Sequence, residues 1–141
     1  MSGITVATLP RMSRETLAAM LLAPTNPNQL AIVDVRDSDH IGGHISTSTW
    51  HPSSTLSKHM PDLINKLRGK EKVVFHCALS QERGPSAALK YIREREQVLG
   101  KEESAKQAVF VLEGGFVQWQ KKYGEDKRLT QAYVKDIWEE D

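Results

Sequence analysis

The sequence predicts an α/β fold in which a central, mainly parallel sheet is flanked by helices. Short and nearly continuous apolar runs occur at 30–35, 72–76 and 108–112, and such runs are typical of buried parallel strands. After each run, glycine or proline precedes a stretch with apolar residues at helical spacing. Strands that alternate with helices in this way indicate an α/β architecture.

The first elements are short. Residues 4–9 alternate loosely between apolar and polar and predict an edge strand. Ser13 is expected to be the N-cap of the first helix, because Leu17 and Leu21 follow it at helical spacing. The prolines and asparagines within 24–28 are expected to end this helix before the first buried strand.

Weaker patterns complete the order of elements. Residues 47–51 predict a further strand, Pro61 is expected in the first turn of a helix, and Pro85 is expected to start the next helix. The double glycine after the last apolar run leads into 116–123, which predicts a helix with an aromatic inner face. The tail at 129–141 has near-helical apolar spacing, so we expect it to be helical and to fold back onto the domain.

Length and charge restrict the classes of protein and partner. A chain of 141 residues suits one domain, here 1–141 with its core at about 10–124. The 19 Lys and Arg residues nearly balance the 18 Asp and Glu residues, which argues against nucleic acid or an anionic membrane as a partner. No apolar run approaches a membrane span and the N-terminus lacks a signal-peptide pattern, so we expect a cytoplasmic or nuclear protein.

The cysteine and histidine content argues against disulfides and metals. The single cysteine excludes an internal disulfide and fits a reducing compartment. His40 and His44 lie four residues apart, but the glycine pair between them makes a shared helical face improbable. We therefore expect no metal and no bound cofactor.

The cysteine lies in the most informative stretch of the chain, the thiol loop (77–83). Cys77 directly follows the apolar run 72–76, and Gly84 and Pro85 open an alanine-rich helix just beyond Arg83. A lone cysteine after a strand is often only a small buried hydrophobe. Here, however, backbone N–H groups and a helix N-terminus converge on it, which are surroundings that favour a reactive thiolate.

The same stretch predicts an oxyanion site. The guanidinium of Arg83 offers a planar fork to two oxygens, and loop amides would hold the remaining oxygens. The residues expected to form this oxyanion-binding loop are Ala78, Leu79, Ser80, Gln81, Glu82 and Arg83. A Cys77 thiolate held there can attack phosphorus or arsenic and form a covalent intermediate, so Cys77 is the predicted nucleophile and Arg83 the predicted clamp.

Acidic residues near the loop are candidates for the general acid. Glu82 lies within the loop, although it could equally be a solvated side chain, and Asp37 and Asp39 are alternatives. Glu113, beside the double glycine, is better explained as structural.

Three further residues are expected to support the loop. Asp34 and Arg36 follow a buried strand, where a buried ion pair is the favoured interpretation over a catalytic role. His76 precedes the nucleophile and is expected to fix the loop through hydrogen bonds.

These residues resemble a known family. His76-Cys77, Ser80, Glu82 and Arg83-Gly84-Pro85 resemble the active-site loop of the M-phase-inducer (cell-division-cycle twenty-five) phosphatases and of the related small eukaryotic arsenate reductases. Further landmarks that resemble this family are Asp34-Val35-Arg36, Gly42-Gly43-His44-Ile45 and Leu112-Glu113-Gly114-Gly115-Phe116, so the match spans roughly 30–120.

The resemblance implies a rhodanese-like domain with Cys77, Arg83 and Glu82 as catalytic residues. It also implies a substrate larger than sulfur, because sulfurtransferases of the rhodanese type have a loop one residue shorter. Our first hypothesis is a phosphatase that acts on phosphotyrosine, with dual specificity, through a phosphocysteine. The second is an arsenate reductase that uses glutathione or glutaredoxin as external thiol. The third is a non-catalytic binding module or a sulfurtransferase.

The partners expected from these hypotheses are a phosphorylated protein or a small oxyanion, with glutaredoxin as a further candidate. Because the chain has one cysteine, an oxidised Cys77 would need an outside thiol for repair.

Overall fold

The structure is a computed structural model that describes residues 4–23 and 29–139. The strands are β1 (Arg11–Met12), β2 (Leu30–Asp34), β3 (His44–Ile45), β4 (Thr49–Trp50), β5 (Lys72–His76), β6 (Ala108–Leu112) and β7 (Thr130–Gln131). The helices are α1 (Arg14–Leu22), α2 (Leu56–Lys66), α3 (Arg83–Ser104), α4 (Gly115–Tyr123) and α5 (Lys135–Trp138). None of the helices in these described ranges combines the length and apolar character needed to cross a bilayer.

A parallel sheet with the strand order β1-β6-β5-β2-β4 forms the centre of the molecule. The predicted α/β class and the three apolar runs are therefore confirmed as β2, β5 and β6. In β5, Val73 and Phe75 pack into one hydrophobic cluster and Val74 packs into another. This alternation places β5 between two apolar layers, as expected for a strand buried on both faces.

The helices cover both faces of the sheet. Apolar residues of α2 and α3, including Met60 and Tyr91, share one cluster with Val73 and Phe75. Those of α1 and α4, including Leu17, Phe116 and Trp119, pack into the other cluster. Ser13 caps α1 as predicted, since its Oγ accepts a hydrogen bond from the N–H of Thr16 at 3.1 Å.

The N-terminal segment differs from its prediction. Residues 4–9 contain a 3₁₀ helix at Val6–Thr8, and the edge strand is instead β1, which pairs with β6. The N–H of Thr5 donates to Oγ1 of Thr8 at 2.8 Å, and this local capping bond favours the turn over an extended chain. The predicted end of α1 at 24–28 lies outside the described residues.

The positions of both prolines were also misjudged. Pro61 lies inside α2 rather than in its first turn, because α2 begins at Leu56. Burial of Leu56 and Met60 on the core face stabilises the turn before the proline. The next helix begins at Arg83, two residues ahead of Pro85.

The strand predicted at 47–51 is shorter than expected, because only its central residues form β4.

The tail is less helical than its spacing predicted. It forms β7, which pairs antiparallel with β3, and then the single turn of α5. The hydroxyl of Thr130 accepts a hydrogen bond from Nε1 of Trp119 and so draws the start of the tail onto α4. The tail does pack on the domain, since Nε1 of Trp138 donates to the carbonyl of Gly42 and its ring lies 5.4 Å from that of Phe116.

Candidate active site

The thiol loop leaves the sheet at the carboxyl end of β5 and runs into α3. The strands β2 and β6 flank β5, so the loop emerges at the centre of the sheet. Residues Asp34 of β2 and His76 of β5 lie level with each other in the parallel register. Ligand sites in open α/β sheets collect at this edge, because the loops and helix N-termini after the strands meet there.

The nucleophile predicted from the sequence is surrounded by backbone donors. Cys77 is buried, with 3% of its surface exposed, and its Sγ accepts the N–H of Ser80 at 3.2 Å and that of Gly84 at 3.3 Å. The Oγ of Ser80 accepts the N–H of Cys77 at 3.4 Å in return. The loop and the first turn of α3 therefore aim positive N–H dipoles at the sulfur, as the anion-site prediction requires.

The carbonyl groups of the loop are bonded to the helix that follows β6. The carbonyl of Cys77 accepts the N–H of Phe116 at 3.0 Å, and that of Ala78 accepts the N–H of Val117 at 2.9 Å. These bonds use free N–H groups in the first turn of α4. The loop is thus tied down through its carbonyl groups, which leaves N–H groups available on its other side.

Two features place Ser80 at the turning point of the loop. Its φ of 56° lies in the left-handed region, and the side chain is buried. Nη1 of Arg11 donates to the carbonyl of Ser80 at 3.1 Å and also lies 3.7 Å from a carboxylate oxygen of Glu113. Glu113 is therefore a partner of Arg11, in keeping with the structural role expected for it.

The guanidinium of Arg83 lies beside the loop but is paired with carboxylates. Its Nη1 and Nη2 donate to the two oxygens of Asp39 at 2.8 and 2.6 Å, and Nη1 also lies 3.4 Å from Oδ2 of Asp37. The sequence identified both aspartates only as candidates for the general acid, and their pairing with Arg83 was not predicted. The available indication was their position just after β2, the neighbour of β5, which brings them to the same sheet edge.

Hydrogen bonds keep both aspartates in the ionised form. Hydrogen bonds from Arg83 lower the pKa of Asp39 to about 2. The pKa of Asp37 also lies below its ordinary value, mainly because Asp37 accepts hydrogen bonds from the Ser53 hydroxyl and the Ser54 N–H. Both side chains are carboxylates at neutral pH and hold no proton for a leaving group.

The outer side of the loop is open to solvent. Leu79, Gln81 and Glu82 are exposed, with half of Leu79 accessible. Glu82 occupies the N-cap position of α3 without a hydrogen bond from its side chain to the helix N-terminus. Its carboxylate is therefore at the rim of the loop and is not committed to capping.

Asp34 and Arg36 form the buried ion pair that the sequence favoured. Nε and Nη2 of Arg36 donate to the carboxylate of Asp34, with the shortest distance at 2.7 Å, and Nη2 also donates to the carbonyl of Gly43. The guanidinium lies 4.3 Å from the ring centroid of Phe116. The pair thus links the end of β2 to the glycine turn and to α4 beneath the thiol loop.

His76 is fully buried at the end of β5. Its Nδ1 donates to the carbonyl of Cys77 at 3.2 Å, and its ring stacks on that of Phe116. Burial lowers the pKa of His76, while the nearby Asp34 opposes this shift only in part. His76 is therefore a neutral side chain that holds the first carbonyl of the loop.

The histidines considered as metal ligands have other partners. The ring of His40 stacks on that of Trp50 at 3.6 Å, and Nε2 of His44 lies 3.2 Å from the side-chain oxygen of Gln131. In the part of the chain that the structure describes, no three His, Cys, Asp or Glu side chains are grouped so that they could hold a metal ion.

Comparison with known proteins agrees with this geometry. The model of the rhodanese-like domain matches residues 15–122. The CDC25-like phosphatase YCH1 of Saccharomyces cerevisiae is 40% identical over 118 residues, which cover 76% of each chain. Arsenate reductase 2.2 of Oryza sativa subsp. japonica is 39% identical over 107 residues, which cover 73% of this chain and 78% of that protein. The solved structure of Ygr203w, described as a yeast protein tyrosine phosphatase of the rhodanese family, superposes with a TM-score of 0.83 at 33% identity and covers 97% of this chain and all of that one. The chain therefore belongs to the rhodanese-like domain family, in the class that includes CDC25-like phosphatases and eukaryotic arsenate reductases.

Proposed function

We propose that this protein is a cysteine-dependent phosphatase that hydrolyses phosphotyrosine, with dual specificity towards phosphothreonine, through a phosphocysteine. The observation that carries the proposal is the environment of Cys77, whose Sγ receives N–H groups from Ser80 and Gly84 at 3.2 and 3.3 Å. Donors that are fixed before the substrate arrives stabilise charge on the sulfur and on oxyanions without rearrangement.

The reaction consists of two displacements at phosphorus. In the first, Sγ of Cys77 forms a bond to phosphorus while the bond to the leaving oxygen breaks, and that oxygen takes the electron pair and a proton. In the second, water attacks phosphorus, the S–P bond breaks and the electron pair returns to Cys77. The loop amides and the guanidinium of Arg83 stabilise the equatorial oxygens in both steps.

Glu82 is the acid that best fits the first step. The carboxylates of Asp37 and Asp39 are both paired with Arg83 in this structure, so neither is placed to meet the leaving oxygen. Glu82 lies in the loop itself, is exposed and does not cap α3. We assign it the transfer of a proton to the leaving oxygen and, in the second step, the acceptance of a proton from water.

Arsenate reduction is the second candidate, supported by the relative named arsenate reductase 2.2. In this reaction Sγ of Cys77 would displace hydroxide from arsenate and form an S–As bond. Glutathione then attacks, so that As(V) gains two electrons as two thiols become a disulfide, and glutaredoxin reduces that disulfide. Cys77 is the single cysteine of the sequence, so the reducing thiols must come from other molecules.

The two activities are separated by parallel assays of one preparation. We expect the wild type to hydrolyse an aryl phosphate and a phosphotyrosine peptide, and acid quenching to trap phosphate on Cys77. Reduction of arsenate with glutathione and glutaredoxin, without hydrolysis of either phosphate ester, would contradict the phosphatase and leave the reductase. Turnover of none of these substrates would leave a binding module or a sulfurtransferase, the latter detectable with thiosulfate and cyanide.

Matched variants test the assigned roles. Cys77→Ser should abolish turnover and the trapped intermediate, while phosphate should still protect the variant against thermal unfolding. Arg83→Lys retains the charge but loses the planar fork, so kcat should fall by about 10²–10³-fold. Glu82→Gln should slow phosphotyrosine peptides, which have a poor leaving group, far more than nitrophenyl phosphate, whose leaving group needs little protonation. Equal effects on both would remove Glu82 from the acid role.

A further inference from the structure

The guanidinium of Arg83 already holds an anion in this structure. Both of its terminal nitrogens pair with the two oxygens of Asp39, at 2.8 and 2.6 Å. This is the side-by-side geometry in which guanidinium groups bind carboxylates and phosphates alike. The residue proposed to clamp the substrate is therefore occupied by a carboxylate of the same chain.

Asp39 is held in a defined position. Its Oδ1 accepts the N–H of Asp37 at 2.9 Å within the 3₁₀ turn Ser38–His40. His40 closes this turn by donating to the carbonyl of Asp37 through its backbone N–H and its Nδ1, and its ring stacks on that of Trp50. The carboxylate thus belongs to an ordered turn that faces the thiol loop.

We infer that Asp39 is an internal competitor for Arg83 and sets the affinity of the site for oxyanions, an inference that rests on the proposed function. A substrate can use the fork only after Arg83 leaves Asp39, so the apparent dissociation constant is the intrinsic one divided by the fraction of molecules with a free Arg83. The binding of phosphate, of arsenate and of phosphate esters is weakened by the same factor. Asp39 therefore limits inhibition by inorganic phosphate as well as substrate binding.

The ion pair between Arg83 and Asp39 is accessible enough for a substrate anion to replace Asp39. The side chains of Arg83 and Asp39 are 34% and 43% exposed. Solvent-exposed ion pairs contribute little stability, and good bidentate geometry places this one at the upper end of that range. Nη1 of Arg83 also lies 3.4 Å from Asp37, which is anchored by Ser53 and Ser54. Asp37 can therefore keep its contact with Nη1 of Arg83 while Nη2 turns to the substrate.

The test measures protection of Cys77 from iodoacetamide by inorganic phosphate, a readout that needs no turnover. In Asp39→Asn, phosphate and arsenate should each protect at concentrations about three- to tenfold lower than in the wild type. In steady state, the inhibition constant for phosphate should fall by the same factor, and KM should fall with it. Unchanged or weaker protection in this variant would overturn the inference, because Asp39 would then only position Arg83.

Two further variants make the result specific. Asp126→Asn removes a carboxylate from another bidentate pair, in which Nε and Nη2 of Arg128 donate at 3.1 and 2.8 Å, and it should leave phosphate protection unchanged. In an Arg83→Lys background, Asp39→Asn should lose most of its effect if the competition acts through the fork. An undiminished effect there would indicate general charge repulsion and overturn the inference.

The same data separate this inference from the proposed function. Wild-type protein that turns over no phosphate ester, yet shows tighter phosphate protection in Asp39→Asn, would contradict the phosphatase and support the competition. Active wild type with identical protection in both proteins would support the phosphatase and overturn the competition. Failure of phosphate to protect either protein, together with no turnover of phosphate esters, would overturn both.

Discussion

Ser80 and Cys77 form a reciprocal pair of hydrogen bonds across the thiol loop. The N–H of Ser80 donates to Sγ of Cys77 at 3.2 Å, while Oγ of Ser80 accepts the N–H of Cys77 at 3.4 Å. The side chain of Ser80 thus closes the loop on the nucleophile, and its backbone supplies one of the donors. A residue that the sequence identified only as part of the anion site therefore shapes that site.

Ser80→Ala should loosen the loop. The substitution leaves the buried N–H of Cys77 without its acceptor, which costs about 1–3 kcal/mol in the free energy of unfolding. Phosphate should also protect Cys77 less well from alkylation. Ser57→Ala is the control, because Ser57 accepts a hydrogen bond from Lys90 at the surface and its loss should cost less than about 0.5 kcal/mol. Equal stability losses in urea denaturation would contradict the role given to Ser80.

Gly115→Ala should displace the thiol loop from α4. A Cβ at this position would lie 2.4 Å from the carbonyl oxygen of Ala78 and 2.6 Å from that of Cys77, and the φ of 59° is itself unfavourable for alanine. Gly100 has a φ of 83° and a ψ of 165°, with open space around it, so Gly100→Ala introduces backbone strain of about 1–3 kcal/mol without a steric clash. Gly115→Ala should be the less stable protein and should lose activity, whereas Gly100→Ala should retain it. Full activity in Gly115→Ala would show that the close approach is unimportant.

Arg36→Met should destabilise the protein strongly. It leaves the buried carboxylate of Asp34 without its bidentate partner, and breaking a buried pair in this way costs about 3–5 kcal/mol. The surface variant Arg128→Met, which breaks the pair with Asp126, should cost at most about 1 kcal/mol. The double change Asp34→Asn with Arg36→Met should recover part of the loss in urea denaturation. A double variant less stable than Arg36→Met alone would contradict this explanation.

His76 should make stability fall in mild acid. Because burial lowers its pKa in the folded protein, the unfolded chain binds more protons below the ordinary value of 6.5. The stabilisation is complete above that pH and is lost as pH falls towards the folded pKa, with a slope of up to about 1.4 kcal/mol per pH unit. In His76→Gln, the slope between pH 6.5 and 5 should become shallower.

A second histidine provides the comparison for this pH profile. Burial, together with the charges of Lys66 and His59, lowers the pKa of His51. His51 is less buried than His76, so His51→Gln should flatten the profile to a smaller extent. The measurement is the free energy of unfolding in urea at several pH values. An unchanged slope in His76→Gln would mean that His76 binds protons equally in the folded and unfolded states, which would contradict the lowered pKa.

The elements predicted correctly are those whose signals are local. The apolar runs of β2, β5 and β6 are each long enough to identify a buried strand, and Ser13 lies three residues from the N–H that it caps. The failures came where distant contacts decide the conformation. Pro61 lies within α2 because Leu56 and Met60 reach the core, and the tail forms β7 because β3 offers it a partner.

The thiol loop could be identified from the sequence because its nucleophile, its amides and its arginine are consecutive in the chain. Hydrogen bonds between neighbours and the start of a helix are enough to aim these donors at Cys77. The sequence by itself therefore determined the family and the fold class, and it predicted an oxyanion site at Cys77.

Only the tertiary structure decided what surrounds that loop. Asp39 and Arg83 are 44 residues apart and meet because β2 and β5 are neighbouring parallel strands whose carboxyl ends share one edge. No local pattern encodes which strands are adjacent, since that order follows from packing both faces of the sheet. The sequence thus identified Arg83, whereas the order of the strands in the sheet decided that Asp39 binds it.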